Sequence, residues 1–180
     1  FTTLIVGGGM VGEEKLHFIL KSSPNAKIHI VAKEISEQII TISEEYPQVT
    51  LEYKAFENQD VIGKKLVVAA TSDHDVNLEI YEACQQHGIL INVADTPELC
   101  DVYLGSIVTK GDLKIAISTN GKSPTFAKRF RELLEENLPD SIDGILSKLS
   151  EIRNKLSGDF QSKVQKLDEI TEVLKDKDQD

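Results

Sequence analysis

No apolar run in this 180-residue sequence approaches the roughly 20 residues that a bilayer-crossing helix requires. A helical membrane span is therefore not expected. The first apolar segment runs straight into Gly7, Gly8 and Gly9, which is not the pattern of a secretory leader. The chain opens on Phe1 instead of a methionine, so residues missing upstream are expected. Cysteine is scarce: Cys84 and Cys100 fit neither a disulfide framework nor a metal-ligand spacing. Free, buried or half-buried thiols in a reducing, cytoplasmic compartment are the expectation. The four histidines (His17, His29, His74 and His87) include no pair at ligand spacing, and no resident metal site is expected. Each reads as structural or exposed, with His74, just beyond a strand, the one nearest a candidate site. Basic residues are outnumbered, 20 against 30 acids, and the net charge of −10 argues against nucleic acid as a partner. Internal repeats and low-complexity blocks are also lacking.

What is present is an alternation of strands and helices. Thr3–Val6 is a short apolar strand ending at the glycines. Met10–Leu20 has helical character, with Val11, Lys15, Phe18 and Ile19 near one another at 3.6-residue spacing and Ser22-Ser23-Pro24 as its stop. Lys27–Val31 predicts a second strand, Ile35–Glu45 a second helix and Val49–Tyr53 a third strand. Lys65–Ala70 is apolar nearly throughout, as suits a strand covered on both faces of a parallel sheet. Val76–Gln86 predicts a helix with Gly88 just past its end, and Ile89–Val93 a fifth strand. Such alternation implies βαβ units: an α/β fold with a doubly wound parallel sheet of Rossmann type.

The rhythm then changes. Gly105–Thr109 and Leu113–Ser118 predict a hairpin across Lys110-Gly111-Asp112. Ser123-Pro124 opens a helix to Asn137, broken by Leu138-Pro139-Asp140. In the helical tail Ile142, Ile145, Leu149, Ile152 and Leu156 form an apolar stripe, which Phe160, Val164, Leu167, Thr171 and Leu174 resume after Gly158. That stripe packs either on its own chain or on a second copy. Lys175–Asp180 reads as a charged, frayed end.

Two segments carry chemistry. Gly7-x-Gly9-x-x-Gly12 follows a strand and opens a helix, the context of a dinucleotide-binding loop. The first glycine permits the tight turn, the second lets backbone approach a pyrophosphate, and the third lets helix sit close to strand. The second strand should deliver an acid to the adenine ribose; here it ends in Lys33-Glu34. Glu34 suits a ribose hydroxyl and Lys33 a 2′-phosphate, so NAD is favoured with NADP left open. The ends of strands four and five, at Ala70–Asp73 and Asn92–Asp95, lie where a nicotinamide would rest. The second segment is basic: Lys110, Lys114, Lys122, Lys128, Arg129 and Arg131 stand against one acid, Asp112, within an acidic chain. Asn120-Gly121-Lys122-Ser123 precedes a helix and suits an anion, which implies a small ligand with several carboxylates or phosphates. Lys110 and Lys114 read instead as solvated.

The run Asn92–Asp101, Ser106-Ile107-Val108, Ile115–Pro124 and Ala127–Arg131 resembles the precorrin-2 dehydrogenase / sirohydrochlorin ferrochelatase family, the siroheme synthases. Gly7-Gly8-Gly9-Met10-Val11-Gly12-Glu13-Glu14-Lys15 and Ala69–Asp73 with Asn77 fit the same family, and matching order extends over about residues 3–137. The resemblance implies oxidation of precorrin-2 to sirohydrochlorin with NAD as hydride acceptor. Some members then insert ferrous iron as a second substrate, and others stop at the first step. The substrate, a tetrapyrrole with many carboxylates, is the kind of polyanion the basic segment suits. On the same footing Asp95 is the catalytic base. Gly7, Gly9, Met10, Val11, Gly12, Lys33, Glu34, Ala70 and Thr71 are the cofactor contacts. Ser123 is the substrate-site residue the resemblance implies, and Asn120, Gly121, Lys122 and Arg129 of the basic segment are the further substrate contacts expected. A homodimer joined through the region after the Rossmann domain is implied.

The expected division is residues 1–104 for the NAD-binding domain, 105–137 for the strand pair and helix of the substrate site and dimerisation, and 138–180 for a helical carboxyl-terminal segment. Gly12 stands where the family commonly has alanine, an exchange expected to be harmless for the turn. A fused methyltransferase domain, found in some relatives, is not in this sequence. The competing expectation is a non-catalytic NAD(H)-sensing module that dimerises through its tail.

Overall fold

Alternate side chains of a strand point to opposite faces of its sheet. In β1 (Thr2–Val6), Leu4 and Val6 enter one apolar cluster and Ile5 another. In β4 (Leu66–Ala69), Val67 and Ala69 join the first cluster and Val68 the second. Both strands are therefore buried on both faces, which is why they read as unbroken apolar runs. With β2 (Lys27–Ala32), β3 (Val49–Tyr53) and β5 (Leu90–Val93) they form a parallel sheet in the order β3-β2-β1-β4-β5. The computed structural model describes residues 1–120 and 122–172.

One face is covered by α1 (Met10–Ser22) and α2 (Glu37–Glu45), through Leu16, Ile19, Leu20, Ile39 and Ile42. The other is covered by α3 (His74–His87) and a 3₁₀ turn at Asn58–Val61, through Ile80, Ala83, Cys84 and Val61. Full burial of each such leucine, isoleucine or valine contributes about 1.5–3 kcal/mol.

Caps set the helix boundaries. The Ser36 hydroxyl accepts from the Ile39 N–H at 3.3 Å, so α2 starts two residues later than its apolar pattern predicts. The Asp73 carboxylate accepts from the N–H groups of Asp75 and Val76, so α3 starts earlier than the predicted Val76. The short 3₁₀ turns at Asn58–Val61 and Pro97–Leu99 had no sequence expectation; a single turn leaves no period to read.

The chain divides into two compact units, residues 1–107 with 116–131, and residues 108–115 with the segment from 132 onward. β6 (Ser106–Lys110) and β7 (Leu113–Ile117) form the hairpin. Its connection is Gly111-Asp112 alone, because Lys110 belongs to the strand. In the second unit the hairpin tip is clasped: Asp112 donates its N–H to Asp143 Oδ1 at 2.8 Å, and Lys110 Nζ pairs with Asp140 at 2.9 Å and donates to the Leu138 carbonyl. The Lys110 cation also holds the Asp140 carboxyl below its ordinary range. Lys110 is thus tied to its own chain, not solvated as expected. α4 (Pro124–Asn137), α5 (Ile142–Lys155) and α6 (Phe160–Thr171) complete the described helices. No residue of α5 or α6 is fully buried. Leu174 and the expected frayed end at Lys175–Asp180 lie outside the described residues. Among the described residues no helix is long and apolar enough to cross a membrane.

Candidate functional site

The strand order reverses direction between β1 and β4, and ligands of open α/β sheets bind at the carboxyl ends of the strands where this occurs. Gly7 leaves β1 with φ +123°, and a Cβ there would lie 2.3 Å from the Ala70 carbonyl oxygen and 3.0 Å from the Thr71 nitrogen. A side chain on Gly12 would meet the Gly7 oxygen at 2.1 Å. Alanine at Gly12 is therefore not harmless in this backbone: helix α1 lies against the turn with no room for a methyl. Gly8 is equally enclosed, 2.2 Å from the Glu34 oxygen by the same measure. Gly9 is the exception, with nothing within 4 Å of its Cβ direction.

This contrast tests the loop as a phosphate cradle. The enclosed glycines fix the turn, and the open one leaves backbone accessible. Gly9 is also the N-cap of α1 and supplies no side-chain bond, so no capping side chain takes the place of an anion at that helix start. Met10 stands 84% exposed beside it, and Val11 is half-buried. The loop thus fits a nucleotide pyrophosphate.

The neighbouring segments are held by hydrogen bonds. The Ser36 N–H donates to the Gly8 carbonyl at 2.9 Å, which seats Lys33-Glu34 beside the loop with both side chains exposed. On the other side, the buried Asn77 amide receives the Thr71 N–H (3.2 Å) and lies 2.7 Å from the Thr71 hydroxyl. Its Nδ2 donates to the Thr71 carbonyl at 3.1 Å. His74 is exposed at the start of α3.

Asp95 follows β5 on a loop that folds back along that strand. The Asp101 N–H donates to the Ile91 carbonyl at 2.9 Å, and the Ile91 N–H donates to Asp101 Oδ2 at 3.1 Å, which covers the sheet edge. Asn92, also buried, donates to the Val102 carbonyl at 3.0 Å. The Cys100 sulfur accepts from the Val93 N–H at 3.2 Å and lies 3.2 Å from the Val93 carbonyl and 3.4 Å from that of Thr96. Burial pushes the Cys100 thiol above its ordinary range, partly offset by the Val93 backbone bond. It therefore stays protonated, free to donate to these carbonyls. Asp95, at the apex, has φ +57° and an exposed carboxylate with no hydrogen-bond partner among the described residues.

Asn120 also has positive φ, +51°, and it and Asp95 are the non-glycine residues so placed among those described. Ser123 Oγ accepts from the Phe126 N–H at 3.2 Å, capping α4 as expected. Lys122 and Arg129 are exposed, and Gly121 lies outside the described residues. The basic segment is divided: Lys122, Lys128, Arg129 and Arg131 belong to the first compact unit, Lys110 and Lys114 to the second. Packing thus brings Gly7, Gly12, Glu34, Ala70 and Thr71 together, whereas Asp95 and Asn120–Arg129 share their unit without a bond to the loop among the described residues. Sequence reading assigned no task to Asn77, Asn92 or Cys100. Buried asparagines beside strand ends were the available signal, since a buried amide must be satisfied.

An NAD(P)-binding family matches residues 1–106, and the family of the sirohaem biosynthesis protein central region matches residues 110–137. Siroheme synthase of Nitrosomonas europaea is 31% identical over 157 residues, which is 87% of this chain and 33% of that protein. Siroheme synthase of Methylococcus capsulatus is 35% identical over 147 residues, 82% of this chain and 30% of that protein. The chain spans about a third of the length of these relatives. A solved structure of SirC, precorrin-2 dehydrogenase, superposes with a TM-score of 0.71 at 28% identity, covering 94% of this chain and 83% of that one. With the nucleotide-binding family spanning more than half of the sequence and the sirohaem family following it, the chain belongs to the siroheme synthase family.

Proposed function

We propose that the chain catalyses the NAD-dependent dehydrogenation of precorrin-2 to sirohydrochlorin. One observation carries this reading: Asp95, at the carboxyl end of β5, holds an exposed carboxylate, without a partner among the described residues, in left-handed backbone. Strain without a structural bond to offset it is characteristic of functional positions. Gly7, Gly9, Met10, Val11 and Gly12 hold the pyrophosphate, and Ala70 and Thr71 line the turn opposite. Glu34 takes the adenine ribose in preference to a 2′-phosphate on Lys33. The nicotinamide accepts the hydride that leaves the substrate. Asp95 receives the accompanying proton, a role worth about 10²–10⁴ in rate. Asn120, Gly121, Lys122, Ser123 and Arg129 bind the tetrapyrrole carboxylates; the Ser123 hydroxyl, already an acceptor within α4, keeps its proton for a carboxylate.

The working form is a homodimer. Phe126, Phe130 and Leu133 make an exposed apolar stripe on α4, and α5 and α6 add Ile145, Phe160, Val164 and Ile170. Asp95 is also the carboxylate available to take pyrrole protons when ferrous iron enters sirohydrochlorin as a substrate. Assay of sirohydrochlorin with ferrous iron, with and without the protein, reads that step directly.

The test is anaerobic incubation with precorrin-2 and NAD, following NADH. Sirohydrochlorin should form, and Asp95→Asn should lose about 10²-fold or more in turnover while still binding NADH. Wild-type protein that binds NADH but neither oxidises precorrin-2 nor binds sirohydrochlorin would be a nucleotide-sensing module, and the proposal would fail.

A further inference from the structure

We infer that Asn77 is a positioning residue for the nucleotide site, acting through the backbone of Thr71. The inference rests on the reading of Gly7–Gly12 as a phosphate loop. Asn77 lies one turn into α3 and is 6% exposed. Its carboxamide spans both polar backbone groups of one residue: Oδ1 accepts from the Thr71 N–H and Nδ2 donates to the Thr71 carbonyl. Beyond β4 the chain has left the sheet, so the ladder no longer satisfies these groups; the last ladder-like bond is that from the Ala70 N–H to the Val6 carbonyl, at 2.8 Å. The Asn77 side chain thus takes over where the ladder stops.

The segment it holds forms one wall of the glycine turn. Ala70 and Thr71 pass so close to Gly7 that a single methyl there would reach 2.3 Å from the Ala70 oxygen. The position of Thr71 therefore sets how far the strand end can move away from the phosphate loop. α3 is fixed by Ile80, Ala83 and Cys84 in the core and by its Asp73 cap, whose backbone the Thr71 hydroxyl also meets, at 2.9 Å from the Asp73 carbonyl and 3.2 Å from its N–H. Asn77 transmits that fixed position to the loop after β4. It touches no ligand itself.

Asn77→Asp and Asn77→Ser are to be compared with wild type and with Ile80→Val, which loosens the core packing of the same helix but leaves the Asn77 carboxamide in place. The aspartate keeps the acceptor and loses the donor to the Thr71 carbonyl. The serine is too short to span both groups. NADH dissociation constants are measured by fluorescence titration of the whole chain, with KM for NAD, kcat and thermal unfolding alongside. Both Asn77 variants should raise the NADH Kd and the KM for NAD about tenfold, with kcat at saturating NAD within about twofold of wild type. Ile80→Val should lower the melting temperature with Kd unchanged. Folded Asn77 variants that melt earlier yet bind NADH within twofold of wild type would assign Asn77 to stability alone and overturn the inference. Wild-type protein that fails to bind NADH would instead overturn the phosphate-loop reading beneath it.

Discussion

The carbonyl of Gly7 occupies the space that a side chain on Gly12 would need, 2.1 Å from the position of its Cβ. The obstacle is backbone, so relief requires α1 to move away from β1. Gly12→Ala should cost about 1–3 kcal/mol, the usual range for overpacking. It should also weaken NADH binding, because the same movement shifts the helix start from the phosphates. Thermal melts with and without NADH read both effects. An alanine variant matching wild type in both would mean that the helix shifts without cost.

Asp95 offers the opposite case. Its backbone is left-handed and its carboxylate has no partner among the described residues, so glycine should replace it with little loss of stability. Asp95→Gly is expected to melt within about 1 °C of wild type, below the roughly 2–4 °C that 1 kcal/mol shifts at this chain length. Turnover should nevertheless be lost. Asp95→Val should melt lower, since a β-branched residue resists positive φ. A large fall in the melting temperature of the glycine variant would reveal structural work by the carboxylate.

Alkaline pH should expose the buried thiol. Cys84 is fully buried, and burial, aided by the charge of Asp101, pushes its pKa up to about 12. In the unfolded chain a thiol ionises near pH 8.5. The stabilising difference is complete below that value and is lost as pH rises toward 12, because the unfolded chain alone releases the proton. The slope reaches about 1.4 kcal/mol per pH unit. Denaturant titrations between pH 8 and 11 should therefore show stability falling more steeply for wild type than for Cys84→Ala. Equal slopes would place the folded thiol near its ordinary pKa.

The exposed stripe on α4 predicts association. Phe126 and Phe130 stack with ring centroids 5.8 Å apart, and Leu133 continues the same face. Sedimentation equilibrium should give a dimer for wild type and a lighter species for Phe126→Ser combined with Phe130→Ser, with the circular dichroism spectrum unchanged. A monomeric wild-type chain at micromolar concentration would contradict the proposed homodimer.

The sheet was legible in the sequence because its burial is regular: two-sided strands leave unbroken apolar runs such as Leu66–Ala69, and the glycine spacing marks the turn after β1. Helix starts were less legible. Ser36 and Asp73 act by local hydrogen bonds that an apolar period does not encode. The motif residues themselves were visible, but the supports beneath them were not. Cys100 reads as a spare thiol until the chain folds back and sets its sulfur against Val93 and Thr96. Lys110 reads as solvated until Asp140 is brought beside it from 30 residues on. Such pairs are products of tertiary placement, and a single sequence carries no period or motif for them.

A parallel sheet also sorts its own turns into two populations. At the carboxyl end Gly7, Gly8 and Gly12 are hemmed in by backbone. At the opposite end Gly63 and Gly88, in the turns that enter β4 and β5, have nothing within 4 Å of where a side chain would begin. The first end has no room for added atoms, while the second has room, although Gly63 (φ +77°) and Gly88 (φ +62°) must themselves stay glycine for their left-handed backbone. A fluorophore, an affinity handle or an inserted peptide therefore belongs beside Lys64 or His87, where the molecule can be altered without its ligand face registering the change.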